Sequence, residues 1–86
     1  MITILPRAEK ELKKLPKFDQ IAVAQKIRSL GGFGVVGEEK LSGFFHAYRV
    51  RVGNYRIVYK KSSKNIIVVF IRHRRDVYRM LKDILV

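Results

Sequence analysis

The side chains with the most chemistry in this sequence are guanidinium groups. Arg49 and Arg51 alternate with apolar neighbours in residues 45–52, and Arg56 lies in a second alternating stretch, residues 55–60. Only Gly53 and Asn54 separate the two stretches. A two-residue break that opens with glycine predicts a tight type II′ hairpin. That turn sets Val52 opposite Tyr55, Arg51 opposite Arg56, Val50 opposite Ile57 and Arg49 opposite Val58. Side chains alternate across a strand, so Arg49, Arg51 and Arg56 fall on one face. Tyr48, Val50, Val52, Tyr55, Ile57 and Tyr59 fall on the other, which is the core face. Like charges placed opposite one another across a ladder cost up to about 1 kcal/mol. Gathering three of them predicts an anion in their midst, and the planar fork of arginine suits phosphate. The plainer alternative is a solvated sheet face with arginine stems laid over apolar surface.

A second dense stretch is Arg72-His73-Arg74-Arg75-Asp76-Val77-Tyr78-Arg79. It follows an apolar strand, and alternation puts Arg72 on a face with Phe70 and Val68. His73 carries imidazole, the side chain that changes charge near neutral pH and so can act as a general base. Tyr78 can stack on a base or orient a hydroxyl, or simply fill the core. Lys60, His73, Arg74, Arg75 and Arg79 are expected to add contacts to an anionic partner.

Other chemistries lack their residues. There is no cysteine, hence no disulfide and no thiolate nucleophile. His46 and His73 stand far apart with no acidic cluster, so no metal is expected. Gly31-Gly32-Phe33-Gly34 does not follow a strand, so no phosphate-cradling loop and no cofactor are expected.

The elements that must hold these residues follow from periodicity. Residues 2–5 predict a short strand. Pro6 suits the first position of a helix, and Ala8, Leu12 and Leu15 give the stripe of a helix over 7–15. Pro16 stops it. Val23, Ala24, Ile27 and Leu30 mark a second helix over 17–30, ended by Gly31 and Gly32. Phe18, Ile21 and Ala22 lie off that stripe. Residues 33–43 predict a loop. The hairpin follows, then a polar turn at 61–64 and a strand over 65–72, apolar on both faces and so central. Residues 73–85 are expected to be partly or wholly helical, with Val77, Leu81, Ile84 and Leu85 packing on the core or leaving a groove. Residues 1–86 thus predict one α+β domain: an N-terminal strand, a helical hairpin, then a three-strand antiparallel meander and a C-terminal helical segment.

Nineteen Lys and Arg against seven Asp and Glu give a net charge of +12. The surplus lies in residues 44–79, where Asp76 is the one acid. Such a charge attracts polyanions and is far more than solubility requires. The longest apolar run, residues 66–71, is too short to cross a membrane, and residues 1–5 lack the pattern of a signal peptide. A cytoplasmic protein is expected.

Leu41-Ser42-Gly43, the stretch from Tyr48 through Arg49, Arg51, Gly53, Asn54 and Arg56 to Tyr59, residues 68–74 and Asp76-Val77-Tyr78 together resemble the RelE branch of the RelE/ParE toxin superfamily. The resemblance covers nearly the whole chain. The hairpin motif marks the fold, and the closing His-Arg-Arg-Asp-Val-Tyr is typical of the ribonuclease branch. The resemblance implies the toxin of a type II toxin–antitoxin pair, a metal-independent endoribonuclease. It implies cleavage of messenger RNA in the ribosomal A site through attack by the 2′-hydroxyl, leaving a 2′,3′-cyclic phosphate and inhibiting translation. It implies a cognate acidic antitoxin, with assembly as a heterotetramer. The family's catalytic positions fall on Arg49, Arg51, Arg56, Arg72 and Tyr78. In well-known members the first two are lysines, one of them assigned as general base. Arginine keeps its proton, so here the base would be Tyr78, His73 or a ribosomal group, or charge stabilisation would carry the reaction.

Two other readings fit the same composition. One is a ParE-like inhibitor of DNA gyrase, which needs no nuclease residues. The other is a non-catalytic RNA- or ribosome-binding protein of the same fold.

Overall fold

The computed structural model describes residues 1–32 and 35–76. The expected C-terminal helix, with Val77, Tyr78, Arg79, Leu81, Ile84 and Leu85, lies outside the described residues. Strand β1 (Ile2–Ile4) runs through Leu5 into helix α1 (Pro6–Lys14). Pro6 sits in the first helical turn, where a missing N–H costs no hydrogen bond. Leu15 turns the chain to extended backbone, and Pro16 starts helix α2 (Lys17–Ser29). A single short joint therefore folds the two helices into a hairpin.

Strand β2 (Glu39–Lys40) follows, then β3 (Ala47–Val52), β4 (Tyr55–Ser62) and β5 (Asn65–His73). The five strands form one sheet in the order β1-β5-β4-β3-β2. The expected meander is its centre. The two additions are β2, which lies inside the predicted loop, and β1, which pairs parallel with β5 at Ile2–Ile66 and Ile4–Val68. The other pairings are antiparallel.

The predicted hairpin register holds residue by residue, from Val52–Tyr55 through Arg51–Arg56 and Val50–Ile57 to Arg49–Val58. Gly53 has φ +59°, as the first turn residue of a type II′ hairpin requires. The helices cover the tyrosine face. Ala8, Val23, Ile27 and Leu30 pack there against Val50, Ile57, Tyr59, Val68 and Ile71, all buried. Burying each larger apolar side chain contributes roughly 1.5–3 kcal/mol, so this layer fixes the sheet's orientation.

The opposite face carries a smaller apolar cluster of Leu41, Ala47, Val58, Val69 and Phe70, with Leu5 and Phe44 packed on it. A β-bulge supplies part of it. Val58 pairs with Phe70, but Tyr59 pairs with Val68, so Val69 is an extra residue on β5. Phe70 and Val69 therefore join the second cluster while Val68 joins the helix-side core. This corrects the expectation that Arg72, Phe70 and Val68 share a face. Simple alternation fails at the inserted residue. Among the described residues no helix is long and apolar enough to cross a membrane.

Candidate nucleic-acid interface

Three arginines form one row across three adjacent strands. Arg51 on β3 pairs with Arg56 on β4, and Arg56 pairs with Arg72 on β5. Side chains directly opposite one another root about 4.5–5.5 Å apart, so the sheet itself crowds these charges. Arg49 and Val58 form the next row on that face, with Phe70 beyond them. Ala47 and Lys60 form the row after it. The second apolar cluster thus sits beside the arginines as a firm floor.

Arg56 is the centre of the group. Its guanidinium is held below its ordinary pKa, first by burial and then by the charges of Arg51, Arg49 and Arg74. Glu39 partly opposes them. A cation surrounded by cations is a site short of negative charge. Arg56 also donates to its neighbour's backbone, Nη1 to the Tyr55 carbonyl at 3.3 Å. Arg49 pairs with Glu39, its Cα partner on β2, at 3.2 Å. This is the role of the unforeseen two-residue strand: it places one carboxylate at the rim of the cationic face.

Arg74 reaches the group because the hairpin turn holds its backbone. Its N–H donates to the Asn54 carbonyl at 2.8 Å. Arg75 is exposed and its N–H donates to His73 Nδ1 at 3.3 Å. Arg72 behaves differently from its row-mates. Its Nε pairs with the Glu11 carboxylate of α1, and the other Glu11 oxygen accepts the Ile71 N–H at 2.9 Å. The backbone of Arg72 is aligned with Arg56, while its guanidinium is drawn toward the α1 side through Nε. Glu11 is the residue that sequence reasoning missed. It follows Ala8 by three positions and precedes Leu15 by four, so it interrupts the buried stripe of α1. A carboxylate on an apolar stripe is the signal that could have found it.

His73 does not join the arginines. It pairs with Tyr55 on the helix face, and the two rings meet edge to face at 5.7 Å. The register thus sets His73 on the face opposite Arg51 and Arg56, beside Tyr55. Lys60 lies on the arginine face, two rows beyond Arg56. Tyr78 and Arg79 lie outside the described residues.

At the far end of the helix face, Tyr59 donates its buried hydroxyl to Glu38, and Lys61 binds the same carboxylate at 2.7 Å. Burial, and then Glu38, push the Tyr59 phenol well above its ordinary value. Lys61 also lies 4.5 Å from the centre of the Tyr48 ring. These residues brace the core side of β3 and β4 behind the arginines.

Residues 2–78 match the model of the ParE toxin of type II toxin–antitoxin systems. A curated relative, toxin RelE3 of Methanocaldococcus jannaschii, is 40% identical over 40 residues, which is 46% of each chain. The match thus spans about half of that relative's length. The toxin–antitoxin complex RelB–RelE from Methanococcus jannaschii has the same fold, with a TM-score of 0.77 and 24% identity, over 91% of this chain and 96% of that one. The isolated E. coli RelE toxin superposes with a TM-score of 0.71 at 25% identity, over 99% and 98% of the two chains. The intact E. coli RelBE complex gives a TM-score of 0.71 at 22% identity, over 85% and 94%.

Proposed function

Because this chain belongs to the ParE toxin family of type II toxin–antitoxin systems and has the RelE fold, we propose that it is a ribosome-dependent endoribonuclease that cleaves messenger RNA in the A site. The observation that carries this reading is the crowding of Arg49, Arg51 and Arg74 around Arg56, with Arg72 in the same row. The 2′-hydroxyl attacks the adjacent phosphorus, the bond to the 5′-oxygen breaks, and the products are a 2′,3′-cyclic phosphate and a 5′-hydroxyl. Negative charge builds on the phosphorane oxygens as the new bond forms. Preplaced guanidinium groups stabilise that charge without reorganising, which is the largest contribution most enzymes make. Arg51 and Arg56 donate to the phosphate, and Arg49 and Arg74 hold its neighbours. Arg72, oriented by Glu11, turns its two Nη groups to the leaving oxygen. None of these arginines removes the 2′-hydroxyl proton. That proton passes to Tyr78 or to a group of the ribosome, and the leaving 5′-oxygen takes up a proton from water to become the 5′-hydroxyl.

The protein works in the cytoplasm and is neutralised by an acidic antitoxin, as the complexes of its structural neighbours suggest. A surface charged at +12 favours rapid, salt-sensitive association with such a partner. The test is a short pulse of expression followed by mapping of RNA 5′ ends. New 5′-hydroxyl ends within codons support the nuclease. The match to the ParE model favours a second reading, inhibition of DNA gyrase. DNA breaks and an SOS response without new RNA ends would establish it instead. Co-sedimentation with ribosomes that leaves RNA intact would reduce the protein to a binder.

A further inference from the structure

The arginine face does not stop at Arg49. It continues through Ala47 into the loop of residues 41–46, and that loop presents two phenyl rings in opposite ways. Phe44 is half-buried on the second apolar cluster and anchors the loop to the sheet. Phe45, next in the chain, is 82% exposed. Its ring centre lies 3.8 Å from that of His46, with the planes inclined by 59°.

The backbone holds this arrangement in place. His46 has φ +54°, a region that non-glycine residues seldom occupy, and Gly43 has φ +84°. The Leu41 N–H donates to the Ala47 carbonyl at 2.9 Å, and the Lys61 N–H donates to the His46 carbonyl at 3.1 Å. The loop is thus closed on itself and tied to β4. A phenyl ring left in water forgoes the burial normal for its type, and the left-handed residue beside it adds strain. A depression of about 630 Å³ opens over the loop between Lys40 and His46. Ala47 is only about 7 Å along the strand from Arg49, so a strand of RNA gripped at the arginines has its neighbouring nucleotide within reach of the loop.

The geometry points to Phe45 and His46 as a stacking platform for a base of the single-stranded RNA whose backbone the arginine row holds. Every base has a π face, so the platform accepts any of them, and its fixed backbone lowers the ordering cost of binding. Lys40, at the edge of the same depression, supplies a cation to the phosphate beyond that base. This inference rests on the RNA-directed reading given above.

The test uses the whole chain and ribosomes programmed with a messenger RNA whose A-site codon is 2′-O-methylated so that it resists cleavage. The RNA carries 2-aminopurine at successive positions. Wild-type protein is expected to quench the fluorophore at one position. Phe45→Leu, which keeps an apolar side chain but removes the ring, is expected to lose that quenching and to bind about tenfold more weakly. Phe45→Trp is expected to restore both. A Phe45→Leu protein that binds and quenches like wild type, while Arg51→Ala weakens binding, overturns the platform alone. Wild-type protein that fails to bind the programmed ribosomes, or that binds equally well without Arg51, overturns the RNA-directed reading and the platform with it.

Discussion

Glu11 and Arg72 are joined across the boundary between α1 and the end of β5. One carboxylate oxygen of Glu11 pairs with the Arg72 Nε, and the other accepts the Ile71 N–H at 2.9 Å. A single helical side chain therefore satisfies the backbone of the last strand and orients the arginine that follows. Two substitutions separate these jobs. Glu11→Ala leaves the Ile71 N–H without its acceptor and should cost about 1–3 kcal/mol in urea unfolding. Glu11→Gln keeps an acceptor and loses the charge. Its stability cost should stay below about 1 kcal/mol, because Arg72 is partly solvated. Messenger cleavage by Glu11→Gln should nonetheless fall in kcat with ribosome binding unchanged. A proteolysis-resistant Glu11→Gln protein with wild-type kcat would show that Arg72 needs no orientation.

Arg56 shows the tension between function and stability. Burial and three neighbouring cations oppose its charge. Arg56→Gln should raise stability by up to about 1 kcal/mol through relief of cross-strand repulsion. The same change should lower cleavage about 100-fold or more, the usual cost of removing one preplaced donor to a developing oxyanion. Thermal unfolding and single-turnover cleavage on programmed ribosomes measure the two effects. Parallel loss of stability and activity would mean that Arg56 is a structural residue.

Tyr59 predicts a weakness at high pH. Its phenol is pushed above the ordinary value of 10.0 by burial and by Glu38. Above about pH 10 the unfolded chain releases this proton while the folded chain keeps it. Stability contributed by the neutral phenol is complete below that pH and falls as pH rises, by up to about 1.4 kcal/mol per unit. Tyr59→Phe should flatten this part of the stability profile. At neutral pH it should cost about 1–3 kcal/mol, because Glu38 loses a buried donor. Denaturant unfolding of both proteins at stepped alkaline pH isolates the difference. Equal slopes would show that the Tyr59 proton leaves at its usual pH.

Gly53 ties the turn to the site. Its φ of +59° suits glycine, and alanine there should cost about 1–2 kcal/mol. The next residue, Asn54, holds the Arg74 N–H. Gly53→Ala should therefore also speed hydrogen exchange at Arg74 relative to β5. Unchanged exchange at Arg74 would show that the turn and the arginine move independently.

The hairpin and its arginine row were legible in the sequence because one short turn fixes the pairing of every residue on both sides. From Gly53-Asn54 alone, Arg51 had to meet Arg56 and Tyr48 had to meet Tyr59. Strand β5 was less legible for a definite reason. Its apolar run has no alternation to break, so nothing marks Val69 as the inserted residue. The facing of Val68 went astray in consequence. The facing of His73 was hidden differently: it adjoins Arg72 in the chain, yet adjacent strand residues point to opposite faces, and its ring meets Tyr55. Strand β2 is two charged residues long and carries no periodic pattern. The partnership of Glu11 with Arg72 spans most of the chain, and only the fold brings its ends together.

The parallel pairing of β1 with β5 has a consequence for how the protein is made. Ile2–Ile4 finds its partner strand only at Ile66–Val68, and Glu11 finds its arginine only at position 72. A polypeptide cut short before β5 lacks the strand that bridges its first and middle segments. Interrupted synthesis would leave a fragment that cannot complete the sheet or align Arg72 with Arg56, so the cationic row forms only once β5 has been made.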